Sequence, residues 1–155
     1  MNNYSDTDLQ TMSLTVWAEA RGEPEEGQHA VAWVIRNRFS HPGWWSREKG
    51  DGIPDDTIAA VCRDKYQFSC WNASDLNNRL LYDPATVRTL GYMRIRTLCL
   101  EVLEAPAQAD PTHGADHYCT RAVADKTAWA RGKVPVVTIG NHQFYRLGLD
   151  GKGDR

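Results

Sequence analysis

Long apolar runs are absent from this chain. No stretch approaches the roughly eighteen residues that a membrane-spanning helix needs, which leaves no candidate for one. The first residues, Met1-Asn2-Asn3-Tyr4-Ser5-Asp6, lack the basic start and apolar stretch of a secretory signal. The expectation is synthesis in a cytoplasm, with action on a cell wall or periplasm only after release by another route. An excess of one charge is also missing. Lys and Arg number 18 against 20 Asp and Glu, and the net charge of −2 drives no generic binding to nucleic acid or anionic lipid. Arg88, Arg94 and Arg96 form only a local basic patch. The four cysteines include no CxxC pair, so reduced thiols are expected, with a Cys62–Cys70 bridge open in an oxidising space. Repeats and low-complexity linkers are lacking too. The 155 residues therefore read as one domain, 1–155, with a core over about 5–147 and a frayed tail over 148–155.

What is present is helical first and extended late. Ser5-Asp6-Thr7-Asp8 reads as a capping box, and residues 6–21 as a helix ending near Gly22. Pro24 suits the first turn of a second helix, with Glu25 and Glu26 at its positive end and Ala30, Val31, Val34 and Ile35 as its apolar stripe to about residue 39. Residues 40–54 form a long loop around Trp44 and Trp45, and Asp55-Asp56-Thr57 caps a short helix through Cys62. Residues 63–82 look irregular. Asp83-Pro84 is expected to start the longest helix, to about Glu104, with Val87, Leu90, Ile95, Leu98, Leu100 and Leu103 as its apolar positions. Val134–Ile139, the turn pair Gly140-Asn141 and His142–Tyr145 predict a terminal hairpin. The fold class is α+β, mainly helical with a small late antiparallel sheet.

The stretch "WAEARGEPEE" carries Glu19, Glu23, Glu25 and Glu26. At ~100° per residue, Leu9, Met12, Val16 and Ala20 share one face of the first helix, and Glu19 falls at its edge. Periodicity alone favours a carboxylate paired with Arg21, Arg36 or Arg38. The sharper reading is a general acid against an apolar wall. The remaining three glutamates suit helix termini. Other chemistries stay open. His113, His117, Cys119 and His142 have ligand-like spacing for zinc, as in a wall amidase or peptidase, but no HExxH accompanies them. Cys70 beside Trp71 is a candidate nucleophile. The loop aromatics Tyr66, Phe68, Trp71, Trp44 and Trp45 suit stacking on sugars, as in a non-catalytic binding module, whereas Trp17, Trp33 and Trp129 suit packing.

Four segments, "WAEARGEPEEGQHAVAWVIRNR", "TIAAVCRDKYQFSCW", "DPTHGADHYC" and "TIGNHQFY", occur in this order. Together they make the chain resemble the cell-wall hydrolase family of the spore-cortex-lytic enzymes, the SleB/CwlJ type, from about Leu14 to Tyr145. The resemblance implies a lysozyme-like, two-lobed fold and cleavage of peptidoglycan between N-acetylmuramic acid and N-acetylglucosamine. It implies a lytic transglycosylase, with a simple hydrolytic muramidase as the alternative, in which a second carboxylate such as Glu23 takes part. The first glutamate of the family's E-[AS]-R-G-E segment, here Glu19, is implied as the catalytic acid. The family's Gln-Phe-Ser falls on Gln67-Phe68-Ser69 and its late tyrosine on Tyr118. Gln67, Tyr118 and His142 are then candidates to position sugar amides and hydroxyls, and Phe68 and Trp71 to stack. No cofactor or metal is expected, and the partner is peptidoglycan, met by a monomer. The compact chain suits a phage or prophage endolysin.

Overall fold

Helix α1, Asp6–Ala20, begins where Ser5 and Asp8 exchange hydrogen bonds: the Asp8 amide donates to Ser5 Oγ at 3.1 Å and the Ser5 amide to Asp8 Oδ2 at 2.8 Å. Asp8 reaches further, because its Oδ1 accepts the Ala59 amide at 2.8 Å and ties α1 to the short helix α3, Ile58–Arg63. The computed structural model describes residues 3–46, 50–65 and 67–149; Tyr66 and residues 150–155 of the expected tail lie outside the described residues. Among the described residues no helix is long and apolar enough to cross a membrane.

The expected apolar face of α1 is buried, but so is the opposite side, including Leu14 and Ala18. Helix α2 (Glu25–Phe39), α3 and helix α5 (Leu90–Glu104) all pack against it. Ser13 and Thr15 sit in this dry interior because their hydroxyls donate to the carbonyls of Leu9 (2.6 Å) and Thr11 (2.7 Å), one turn back. Arg36 of α2 donates to the carbonyls of Val102 and Ala105, both at 2.6 Å, and so caps the carboxyl end of α5.

Three expectations change. The helix expected from Asp83 starts at Leu90, where Thr89 caps the Tyr92 amide; Asp83 and Pro84 lead only into a 3-10 turn, Thr86–Arg88. It is one of three 15-residue helices rather than the longest. Leu90, counted as apolar lining, is 73% exposed, and Tyr92, Cys99 and Val102 are buried on the inner face with Ile95 and Leu98. Between α3 and α5, the irregular stretch holds a 3-10 turn, Ser69–Trp71, and one helical turn, α4, Asn78–Leu81.

The sheet has three antiparallel strands in the order β1-β3-β2, with β1 His117–Thr120, β2 Val137–Ile139 and β3 His142–Tyr145. The expected hairpin is β2–β3, shortened because Val134 points into solvent at 88% exposure. Strand β1 was not foreseen; it pairs Tyr118 with Phe144 and Thr120 with His142. Ala115 and Phe144 pack on Ala30 and Val34 of α2, which seats the sheet beside the helical body as a second lobe. The "DPTHG" segment makes the seat. Asp110 accepts the Thr112 amide, the Thr112 hydroxyl and the Gly114 amide, and also Asn37 Nδ2 from α2 at 2.8 Å. His113 (φ 53°) and Gly114 (φ 88°) turn the chain through the left-handed region. The carboxyl end is held longer than expected, since the Gly148 amide donates to the buried Asp116 carboxylate at 2.8 Å.

Asp110→Ala strips four donors of one acceptor, two of them on the backbone. The expected loss is on the order of 2–3 kcal/mol of stability, read as a lower urea midpoint at unchanged slope.

Candidate active site

Glu19 occupies the last turn of α1 and is half-buried there between the buried Ala18 and Ala20. Its carboxylate opens into a groove of about 470 Å³ between the helical body and the sheet, walled by Arg38, Trp45, Gln67, His117, Tyr118 and Trp129. Among the described residues lining it, Glu19 is the one carboxylate. None of the expected arginine partners takes it. Arg21 donates to the Trp17 and Ala18 carbonyls and to Asn77 Oδ1, Arg36 caps α5, and Arg38 donates to the Asp116 carbonyl and to Gln67. Glu19 Oε1 instead accepts the Cys70 backbone amide at 3.3 Å.

That contact explains "QFSCW". Phe68 is buried beneath Arg38, whose guanidinium lies 5.1 Å from its ring centroid, and it anchors the 3-10 turn. Trp71 donates its indole N–H to Thr15 Oγ1 at 3.0 Å and packs with Arg63 and Tyr82. Asn78 Nδ2 donates to the Cys70 carbonyl at 3.1 Å, so the Cys70 amide faces Glu19. Phe68 and Trp71, expected to stack on sugar, therefore shape the turn from outside the groove lining. Trp45, from the long loop, lines the groove but is buried under Arg38, whereas Trp129, for which the sequence suggested packing only, is half-buried there.

Tyr118 and Gln67 do reach the groove. Burial, and then the nearby Glu19 carboxylate, push the Tyr118 phenol well above its ordinary value, so it stays a neutral O–H donor beside Glu19. His142 does not line the groove. The β1–β3 register places it diagonally behind Tyr118, with ring centroids 5.2 Å apart and nearly perpendicular. Its Nδ1 is 3.5 Å from Glu23 Oε1, and Glu23 Oε2 is buried without a hydrogen-bond partner. Glu23 is thus a half-buried carboxylate set beside His142.

His113, His117, Cys119 and His142 do not converge; among the described residues no group of three His, Cys, Asp or Glu is spaced to hold a metal ion. His117 lies in the groove, hydrogen-bonded through Nδ1 to Asp116 Oδ1 at 2.7 Å. Burial would raise the Asp116 carboxyl, but hydrogen bonds from His117, Leu147 and Gly148 outweigh it and hold the group below the ordinary value. Arg38 and His117 entered the sequence reading only as a partner for Glu19 and a zinc ligand. No local signal marks either as groove lining, because each is placed by Asp116.

All four cysteines are free thiols. Burial raises Cys62 and Cys99 to about 12, and burial plus the Glu19 carboxylate raises Cys70 further, which removes its nucleophilic form. Iodoacetamide at pH 8 should modify at most Cys119, the half-buried one, in the native protein and all four thiols after unfolding, counted by mass. Rapid native labelling of Cys70 would contradict this geometry.

Comparison with known proteins gives one consistent set. The family described as Cell Wall Hydrolase matches residues 22–145, starting just past Glu19. The spore cortex-lytic enzyme of Halalkalibacterium halodurans is 30% identical over 141 residues, covering 91% of this chain and 35% of that protein. The chain thus spans about a third of the length of that curated relative. Among solved structures, the catalytic domain of the Bacillus cereus SleB protein superposes with a TM-score of 0.66 at 27% identity, covering 94% of both chains. The catalytic domain of the germination-specific lytic transglycosylase SleB from Bacillus anthracis also gives 0.66, at 26% identity, over 94% of this chain and 98% of that one.

Proposed function

The chain belongs to the cell wall hydrolase family and shares the lysozyme-like fold of the SleB catalytic domain. From that premise we propose that it cleaves peptidoglycan glycan strands between N-acetylmuramic acid and N-acetylglucosamine as a lytic transglycosylase, with Glu19 as both acid and base. The observation that carries this is the solitary carboxylate: among the described residues that line the groove, Glu19 is the one carboxylate.

The chemistry follows from that solitude. A hydrolytic glycosidase needs a second carboxylate, as nucleophile or as base to water. With one alone, Glu19 protonates the departing glycosidic oxygen as the C1–O bond breaks. The resulting carboxylate then takes the proton of the muramic acid C6 hydroxyl while O6 bonds to C1, closing a 1,6-anhydro ring. The Cys70 amide on Oε1 keeps the carboxyl aimed through both steps. Tyr118 offers a neutral hydroxyl beside it, and Gln67 an amide, for the sugar's polar groups. Trp129 supplies a flat apolar wall, and the buried Trp45 backs the groove behind Arg38. The muramidase alternative would recruit Glu23, but that carboxylate is not among the residues lining the groove and lies 3.5 Å from His142. The zinc amidase alternative lacks converging ligands among the described residues.

The substrate places the action on the wall side of the inner membrane, and one chain builds the whole groove, which supports action as a monomer. An endolysin role in a phage or prophage is the finer form of this proposal.

Glu19→Gln should keep its far-UV spectrum and melting temperature and lose muropeptide release by about 10²–10⁴-fold. Mass spectrometry of wild-type digests should show anhydromuramic ends. Reducing muramic ends would replace transglycosylation with hydrolysis, and full activity in the variant would remove Glu19 from the mechanism.

Tyr118→Phe, which keeps the ring against Phe144 and His142, should lower kcat about tenfold or more through loss of one hydrogen bond near the reacting atoms. Steady-state kinetics on soluble glycan fragments check this, and an unchanged kcat would contradict it.

A further inference from the structure

Asp116 organises one wall of the groove in a way that the cleavage chemistry does not use. Its backbone carbonyl accepts Arg38 Nε–H at 2.7 Å, and its Oδ1 takes Nδ1–H of His117 at 2.7 Å. From behind, the Leu147 and Gly148 amides donate to the same carboxylate at 2.9 and 2.8 Å. In the neutral tautomer with its proton on Nδ1, the His117 ring presents Nε2 as an acceptor. The ring is wedged between Trp45 and Trp129, at centroid distances of 5.4 and 4.9 Å.

Arg38 is the more unusual member. It is only 5% exposed, yet among the described residues no carboxylate reaches ion-pair distance of it. Its hydrogen bonds go to the Asp116 carbonyl and, at 3.3 Å, to Gln67 Oε1, both neutral acceptors. Its guanidinium carbon lies 4.5 Å from the Trp45 ring centroid, the same indole that touches His117. Asp116 and Asp64 are near enough to favour its charge, but burial outweighs them. A buried guanidinium left without a direct counter-charge, at the edge of a groove, is an anion site waiting for its anion.

We infer that Arg38 and His117 recognise an acidic peptide, the arm carried by the muramic acid of the strand. Arg38 receives a carboxylate of the arm, and His117 Nε2 accepts one of its amide N–H groups. The sugar backbone of the strand is neutral, so the peptide is the part of the substrate that brings both an anion and amide donors. The inference rests on the glycan-cleaving reading above and adds which strands are preferred: those that still bear peptides with free carboxylates.

The test uses the full chain carrying Glu19→Gln, so that binding is measured without turnover. Calorimetry compares three ligands: a muramic-acid-containing disaccharide with its peptide, the same molecule with its carboxylates amidated, and the peptide-free disaccharide. The first should bind about tenfold more tightly than the other two, the scale of one charge-assisted contact. His117→Phe and Arg38→Lys, each in that background, should shrink the difference. Equal affinity for the three ligands would overturn the inference, as would a difference that survives both substitutions. If Arg38→Lys does not fold, the ligand series and His117→Phe still decide. Failure of the cleavage reading shows separately, as wild-type protein that releases no muropeptides from walls.

Discussion

Helix α1 is covered by α2, α3 and α5 and, at its carboxyl end, by the 3-10 turn of Ser69–Trp71. This near-complete enclosure is the constraint on which the other elements depend. The buried polar side chains on the helix must be answered inside the protein, and the answers are specific: backbone carbonyls for Ser13 and Thr15, and the Ala59 amide for Asp8. At Glu19 the cover opens on one side. A carboxyl at the end of a buried helix is held by a rigid support and still meets the groove, which a surface glutamate does not achieve.

The second lobe is attached by polar contacts that also build the site. Consecutive residues of α2 divide the labour: Arg36 closes α5, Asn37 engages the Asp110 turn, and Arg38 binds the Asp116 carbonyl. The turn and the strand that follows it are thereby set against the helical body, with Tyr118 facing Glu19 across the groove. Glu23 and His142 fill the space behind that tyrosine, so the first and last of the four matching segments meet there. The four segments meet in and behind a single groove.

Much of this order is written locally. Ser5 and Asp8 announce the start of α1, Thr57 caps α3, and Gly140-Asn141 closes the β2–β3 hairpin. Elsewhere local signals mislead. Asp83-Pro84 has the form of a helix start, but Thr89 offers a second cap, and α5 begins there because Tyr92, Ile95 and Cys99 then face the core. Strand β1 spans four residues with no apolar alternation, so nothing announces it before β3 is there to pair with. Phe68 and Trp71 look like sugar-binding aromatics because rings in an irregular stretch lack a visible packing partner, yet Thr15 and Arg38 supply those partners from other helices.

The sequence by itself determined the α+β class, most helix boundaries, the family and the singling out of Glu19. Those rest on caps, periodicity and ordered motifs, which act between residues close along the chain or are read directly from it. Only the tertiary structure decided that Glu19 meets a backbone amide instead of an arginine, that His142 packs edge-on against Tyr118, and that Arg38 and His117 share Asp116. Each of those outcomes is a contact between residues far apart along the chain. Which of several possible partners a buried charge obtains is set by how the helices and the sheet pack, and no local pattern records that choice.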